Sequence, residues 1–276
     1  MAWVNRGTLH LIRSEDYWLV QALTTPQLMA SIRRRMENRR VTPTQAGRGV
    51  RAITRAIERN GPQTREQLRA VLVRAKVPVE EQALALVITI ACVRGLIVRG
   101  PMRGTRQAFV LVREWLGDPP RPTRDREQML RELAVRYLSG HGPATAADLM
   151  KWAGLPLRDV RAGFKAASDK IVELDAGLVD LKRRSRSDGV PPPKLLGPWE
   201  PLLVGWKERE WVLGRNVSSV VLGGLFKSFA LVDGVAVATW TLTRGRPTLE
   251  PFAPIPRGKL TVLERDVDGV ERFLKR

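Results

Sequence analysis

Two histidines, one cysteine and one carboxylate beside a proline are the side chains of this sequence best suited to bond-making. None stands at a spacing that builds a nucleophile with its base. His10 sits in an apolar run and could hydrogen-bond a phosphate or a base, although that setting suits a structural imidazole. His141 precedes Gly142-Pro143 at an expected helix end, where a cation meets the dipole favourably. Cys92 lies on an apolar stripe and reads as buried filler. Glu200 could place a carboxylate in a cleft, so Glu200 and His10 are the catalytic candidates. The sequence has no Gly-rich phosphate loop and no metal-ligand cluster; neither cofactor nor metal is expected.

The guanidinium groups carry a stronger pattern. Arg33, Arg34, Arg35, Arg39 and Arg40 form the densest positive stretch, and Lys182, Arg183, Arg184 and Arg186 form a second. Across 276 residues, 47 Lys and Arg face 28 Asp and Glu, a net charge of +19. That imbalance favours a polyanionic partner, nucleic acid ahead of membrane. Arginine outnumbers lysine, and its planar fork of donors matches phosphate oxygens and the guanine edge. The single cysteine excludes an internal disulfide and any Cys-Cys zinc site. The longest apolar run, Ala83 to Val93, is too short to cross a bilayer. A cytoplasmic, nucleoid-associated monomer is expected.

The elements that would position these cations repeat. Gly61-Pro62-x-Thr64-x-x-x-Leu68 recurs 81 residues on as Gly142-Pro143-x-Thr145-x-x-x-Leu149, and Gly95-Leu96-Ile97 answers to Gly177-Leu178-Val179. Each copy opens with a helix of apolar spacing, through Val50, Ile53 and Ile57 or through Leu130, Leu133, Val135 and Leu138. Gly-Pro ends it, and Thr64 or Thr145 is placed to cap a second helix. A third helix follows the breaks at Val77-Pro78 and Leu155-Pro156. The first copy then runs through Leu96 to Arg99, a basic Gly- and Pro-rich tip and Gln107 to Val112, which reads as a hairpin carrying Arg99, Arg103 and Arg106. Three helices closed by such a hairpin predict a winged helix, whose third helix can enter a groove. The second copy has a strand at Leu178 to Leu181 and the loop Lys182 to Arg186 as its wing.

Trp3 to Ile12 reads as a strand, Ser14 as the cap of a helix through Tyr17 and Leu23, and Thr25-Pro26 as the start of another helix. Pro191-Pro192-Pro193 is a stiff connector. Strands are expected beyond it at Ser219 to Leu222, Phe229 to Val232 and Val235 to Thr241, with Asp233-Gly234 as a hairpin turn. The expected class is α+β, tandem winged-helix units plus a β-rich C-terminal segment. The expected divisions are 1–43 (a partial first winged helix), 44–117, 124–190 and 194–276.

Four segments together resemble the AlkZ/YcaQ-type winged-helix DNA glycosylase-like family: Trp3-x-x-Arg6-Gly7-Thr8-Leu9-His10-Leu11, Gly142-Pro143-x-Thr145 to Trp152-x-Gly154-Leu155, Glu200-Pro201-x-x-x-Gly205-Trp206-x-x-Arg209, and Val232-Asp233-Gly234-x-x-x-Ala238-Thr239-Trp240. The resemblance implies tandem winged helices lining a basic concave surface, adds Arg6 and Arg209 to the DNA-binding candidates, and implies excision of bulky alkylated purines, including those of interstrand crosslinks. That family carries a water-positioning Gln, an apolar residue, then Gln or Asp, upstream of its Arg-Gly-Thr segment. None of Gln21, Gln27, Gln45, Gln63, Gln67, Gln82, Gln107 and Gln128 starts such a triplet, and the chain is expected to lack the family's first segment. Glu200 also stands where the family places Asp. The sequence therefore reads as a protein that binds double-stranded DNA, alkylated or crosslinked, with an active glycosylase and a transcriptional regulator as the alternatives.

Overall fold

The computed structural model describes residues 1–80, 82–119, 125–184 and 189–275. The chain is α+β, with helices interleaved among small antiparallel sheets, and it divides into two compact units. One comprises Met1–Gly140 with Ala153–Val172, the other His141–Trp152 with Glu173–Arg276. Among the described residues, no helix is long and apolar enough to cross a membrane.

The first unit opens with two paired strands, β1 (Ala2–Val4) and β2 (Thr8–His10), where the sequence suggests one continuous strand. Arg6 and Gly7 both take positive φ and fold the chain back. Helix α1 (Tyr17–Asn38) follows, a single 22-residue helix running through Pro26 where a second helix start is expected. Pro26 leaves the Ala22 carbonyl without its backbone donor; the hydroxyls of Thr24 and Thr25 donate to the neighbouring carbonyls of Val20 and Gln21. Burial of Leu19, Leu23, Leu28 and Ile32 holds the helix across the defect. Ser14 lies in a 3-10 turn before α1 and makes no capping hydrogen bond there.

Helix α2 (Pro43–Asn60) starts at a capping box in which Thr42 and Gln45 satisfy each other's backbone N–H groups. The strand β3 (Gln63–Thr64) leads into α3 (Arg65–Arg74), where Thr64 and Gln67 repeat the same device. Helix α4 (Ala83–Val93) is apolar all round, and ten of its 11 residues are buried. It therefore forms the centre of the core, against Ile32, Val50, Ile53 and Leu72. This corrects one expectation: a third helix enclosed by core cannot enter a DNA groove. Cys92 lies on α4, where burial pushes its thiol pKa up to about 12 and keeps it protonated. β4 (Ile97–Arg103) and β5 (Arg106–Leu111) form the expected hairpin, with β3 as a third strand, and α5 (Val112–Leu116) ends the run.

The helices α6 (Arg126–His141), α7 (Ala146–Ala153) and α8 (Leu157–Ala166) follow, then β6 (Ile171–Glu173) paired with β7 (Val179–Leu181). Within the first unit, α6 and α8 lie so close that a Cβ at Gly163 would stand 2.7 Å from the Leu130 carbonyl oxygen. Arg131 clamps the far end of α8, donating to the Ala166 carbonyl at 2.5 Å and pairing both carboxylate oxygens of Asp169. Those bonds hold the Asp169 pKa down at about 2. A depressed carboxylate contributes stability above its unfolded pKa and loses it as pH falls through the folded value. Thermal melts of Asp169→Asn and the parent chain should therefore differ at pH 5 and converge towards pH 2; a constant difference would refute the linkage.

The second unit is built on a sheet ordered β13-β12-β11-β8: β8 (Lys194–Leu196), β11 (Phe229–Val232), β12 (Val235–Thr243) and β13 (Arg246–Pro251). The turn between β11 and β12 is Asp233-Gly234 with φ of 49° and 83°, the doubly left-handed pair that a tight hairpin needs. Helix α12 (Arg257–Leu274) lies along the sheet, its Leu263 fully buried and its Asp266 accepting from the Leu195 N–H at 2.7 Å. Between β8 and β11 run the short helices α9 (Pro201–Val204), α10 (Glu210–Leu213) and α11 (Val217–Val220), then β9 (Val221–Leu222) and β10 (Leu225–Phe226). The strand expected from Ser219 is thus reduced to two residues, because Val217–Val220 turn into a helix that buries Val220. Gly205 has no room for a side chain: a Cβ would strike the His141 ring and stand 2.8 Å from the Pro201 carbonyl oxygen.

Candidate nucleic-acid interface

Helix α8 carries an ordered cationic face. Val160, Gly163 and Phe164 are buried on one side. Arg158, Arg161 and Lys165, three and then four residues apart, share the opposite side and are exposed. Arg158 reaches Asp159 at 3.8 Å, while Arg161 and Lys165 meet no carboxylate among the described residues. Asp159 turns instead to Arg126 of α6 at 2.7 Å, so the acidic residue anchors the helix. A three-residue turn, Gly154 to Pro156, joins α7 to α8, with Gly154 at φ 69°. The connection has the three-residue length and the glycine of a helix-turn-helix turn.

Helix α2 carries a second stripe. Arg48, Arg51, Arg55 and Arg59 are all exposed, opposite the buried face of Ala46, Gly49, Val50, Ile53 and Ile57. Neither stripe is among the candidates singled out from the sequence. The signal was available in both helices, since the polar side repeats with the same period as the apolar side that defined them.

The sequence candidates divide by environment. Arg33, Arg34, Arg35 and Arg40 are exposed and meet no carboxylate among the described residues, whereas Arg39 donates to Gln82 at 2.8 Å. Arg103 is exposed at the β4–β5 tip, and Arg106 beside it pairs with Glu66 at 3.0 Å. Arg99 turns inward: its guanidinium lies 5.0 Å from the Trp3 ring and 5.9 Å from Phe109, and it donates to Gln107. Lys182 and Arg183 are exposed, Arg184 pairs with Asp180 at 2.9 Å, and Arg186 lies outside the described residues. Arg6, in its left-handed turn, has its backbone and Cγ against Gly154, so two of the motif segments touch.

His10 and Glu200 fall in different units. His10 shares a 2.7 Å hydrogen bond with the Thr8 hydroxyl. Burial first, then the Arg6 charge, lower its pKa against an opposing Asn5 backbone hydrogen bond, so the ring is neutral at pH 7. Glu200 is half-buried at the start of α9, and burial raises its pKa against the opposing charge of Lys194. Its neighbour Trp199 takes φ 64°, is half-exposed and stands 4.7 Å from Phe226. Arg209 covers Phe226 at 5.3 Å and donates to the Leu203 carbonyl at 2.6 Å. Its guanidinium thus helps to fix the aromatic set beside Glu200. Among the described residues, no group of three or more His, Cys, Asp or Glu is placed to hold a metal ion.

These features define a basic α+β chain whose cations are ordered along helix faces. The chain belongs to the AlkZ-like DNA glycosylase family: the family model, DNA glycosylase AlkZ-like, matches residues 1–273. Among solved structures, the Streptomyces sahachiroi DNA glycosylase AlkZ is similar with a TM-score of 0.75 at 21% identity, over 99% of this chain and 78% of that one. At that identity the likeness establishes the fold. No curated protein matches the chain.

Proposed function

We propose that the protein binds duplex DNA as a monomer and serves the repair of alkylated or crosslinked DNA. In this reading the segments 44–117 and 124–190 are winged helices, 1–43 is part of another, and 194–276 is a separate β-rich region. The observation that carries it is the outer face of α8, where Arg158, Arg161 and Lys165 stand in line on a helix locked from behind. Cations so placed suit phosphates flanking a groove, and the β4–β5 tip with Arg103 supplies a wing. Anisotropy of a labelled duplex is the test. Raising salt from about 50 to about 200 mM should weaken binding about 1,000-fold, as for some six phosphate contacts. Affinity indifferent to salt would overturn the reading.

Glu200 favours base excision as the accompanying activity. A carboxyl group with a raised pKa can protonate a leaving base, and once ionised it can face a positively charged sugar. Glu200→Gln should slow excision from an alkylated duplex about 100-fold while leaving duplex affinity intact. Undiminished excision in that variant would remove Glu200 from the chemistry.

A further inference from the structure

The first unit contains a cavity of about 620 Å³ between the C-terminal half of α1, the crossover into α2 and the end of α4. Its apolar lining includes Met29, Ile32, Met36 and Ile90. Arg33, Arg40 and Arg94 line it too, together with one carboxylate, Glu37. All three arginines are exposed, and none has a carboxylate within ion-pair distance among the described residues. The volume lies within the range of small-molecule sites. Three guanidinium groups around an apolar wall call for an anion carried on a flat, apolar body.

Arg40 adds an independent observation. It follows α1 with φ 51°, and the N–H of Val41 reaches back to the Met36 carbonyl at 3.0 Å. That helix-ending position favours glycine, which takes the left-handed conformation without strain. The sequence instead places a long cation there, lining the cavity.

We propose that this cavity binds a nucleoside monophosphate, free or as an unpaired nucleotide of a strand. The phosphate meets Arg33, Arg40 and Arg94 as a charge-assisted acceptor. The base lies on the partly buried Met29 and Met36 side chains, where thioethers make favourable contacts with aromatic rings. Glu37 accepts from an exocyclic amino group and repels the phosphate, which sets the ligand's orientation and favours adenine over uracil. The site stands apart from the duplex-binding reading and survives its failure.

The experiment uses the full chain and a methylanthraniloyl-labelled adenosine monophosphate, followed by anisotropy and displaced by unlabelled competitors. Saturable binding is expected, displaced by adenosine monophosphate at least about tenfold better than by uridine monophosphate or inorganic phosphate. Arg33→Ala and Arg40→Gly should each weaken it about tenfold. Arg40→Gly relaxes the backbone, so its melting temperature stays level or rises and misfolding cannot explain a loss. A single-stranded oligonucleotide that displaces the probe better than the mononucleotide assigns the site to a strand; the reverse assigns it to the free nucleotide. Binding that does not saturate, that survives both arginine changes, or that inorganic phosphate displaces equally well overturns the proposal. Replacing the three cations of α8 should leave this binding unchanged, which separates it from duplex affinity.

Discussion

Replacing Arg158, Arg161 and Lys165 together by alanine is expected to weaken duplex binding about 100-fold near 0.1 M salt, and to lower the salt slope by about two to three. The size follows from counterion release, since each phosphate-neutralising cation contributes close to one unit of slope. The helix itself should survive. Its three cations are exposed, its buried side holds Val160 and Phe164, and Gly163 approaches the Leu130 carbonyl too closely for the helix to shift. Exposed substitutions of this kind change stability by only about 0.5 kcal/mol, so an unchanged melting temperature with lost affinity is the expected signature. Arg51, Arg55 and Arg59 of α2 make the comparison. If their removal lowers the slope while that of the α8 set does not, α2 faces the phosphates and the assignment of α8 is wrong.

These two stripes also show what a sequence discloses readily and what it hides. Thr64 and Thr145 could be read as caps because their partners, Gln67 and Asp148, are three residues away. The Asp233-Gly234 turn is equally local. Density of charge is a poorer guide than its period: Arg33, Arg34 and Arg35 are consecutive in a helix and point about 100° apart, so they cannot share one face. Arg158, Arg161 and Lys165 look sparse in the sequence and stand in line on α8. The roles of Arg99 and Arg209 were out of reach, since each is set by rings distant in sequence, Trp3 with Phe109 and Phe226. The burial of α4 was legible in principle, because an eleven-residue stretch without a charge has no side to turn to water.

The other large effect belongs to Asp148, a buried carboxylate bonded within the fold. Only 7% exposed, it accepts from the Thr145 N–H at 2.8 Å and the Thr145 hydroxyl at 2.7 Å through one oxygen. Its other oxygen accepts from the Lys207 N–H at 2.7 Å. A single carboxylate thus caps α7 and ties the Gly-Pro-x-Thr segment to the Gly-Trp segment after α9. Asp148→Ala removes a charged acceptor and strands the backbone N–H groups of Thr145 and Lys207. The expected cost is about 3 kcal/mol, or a fall of about 10 °C in melting temperature for a chain of this size. Asp148→Asn keeps one carbonyl acceptor and should cost about half as much. The two alanine experiments are opposite in kind: the α8 variant loses DNA at constant stability, whereas Asp148→Ala loses stability with every cation in place. A melting temperature unmoved by Asp148→Ala would mean that water replaces the carboxylate, and that these segments are held by the packing of His141 against Trp152 and Trp206 instead.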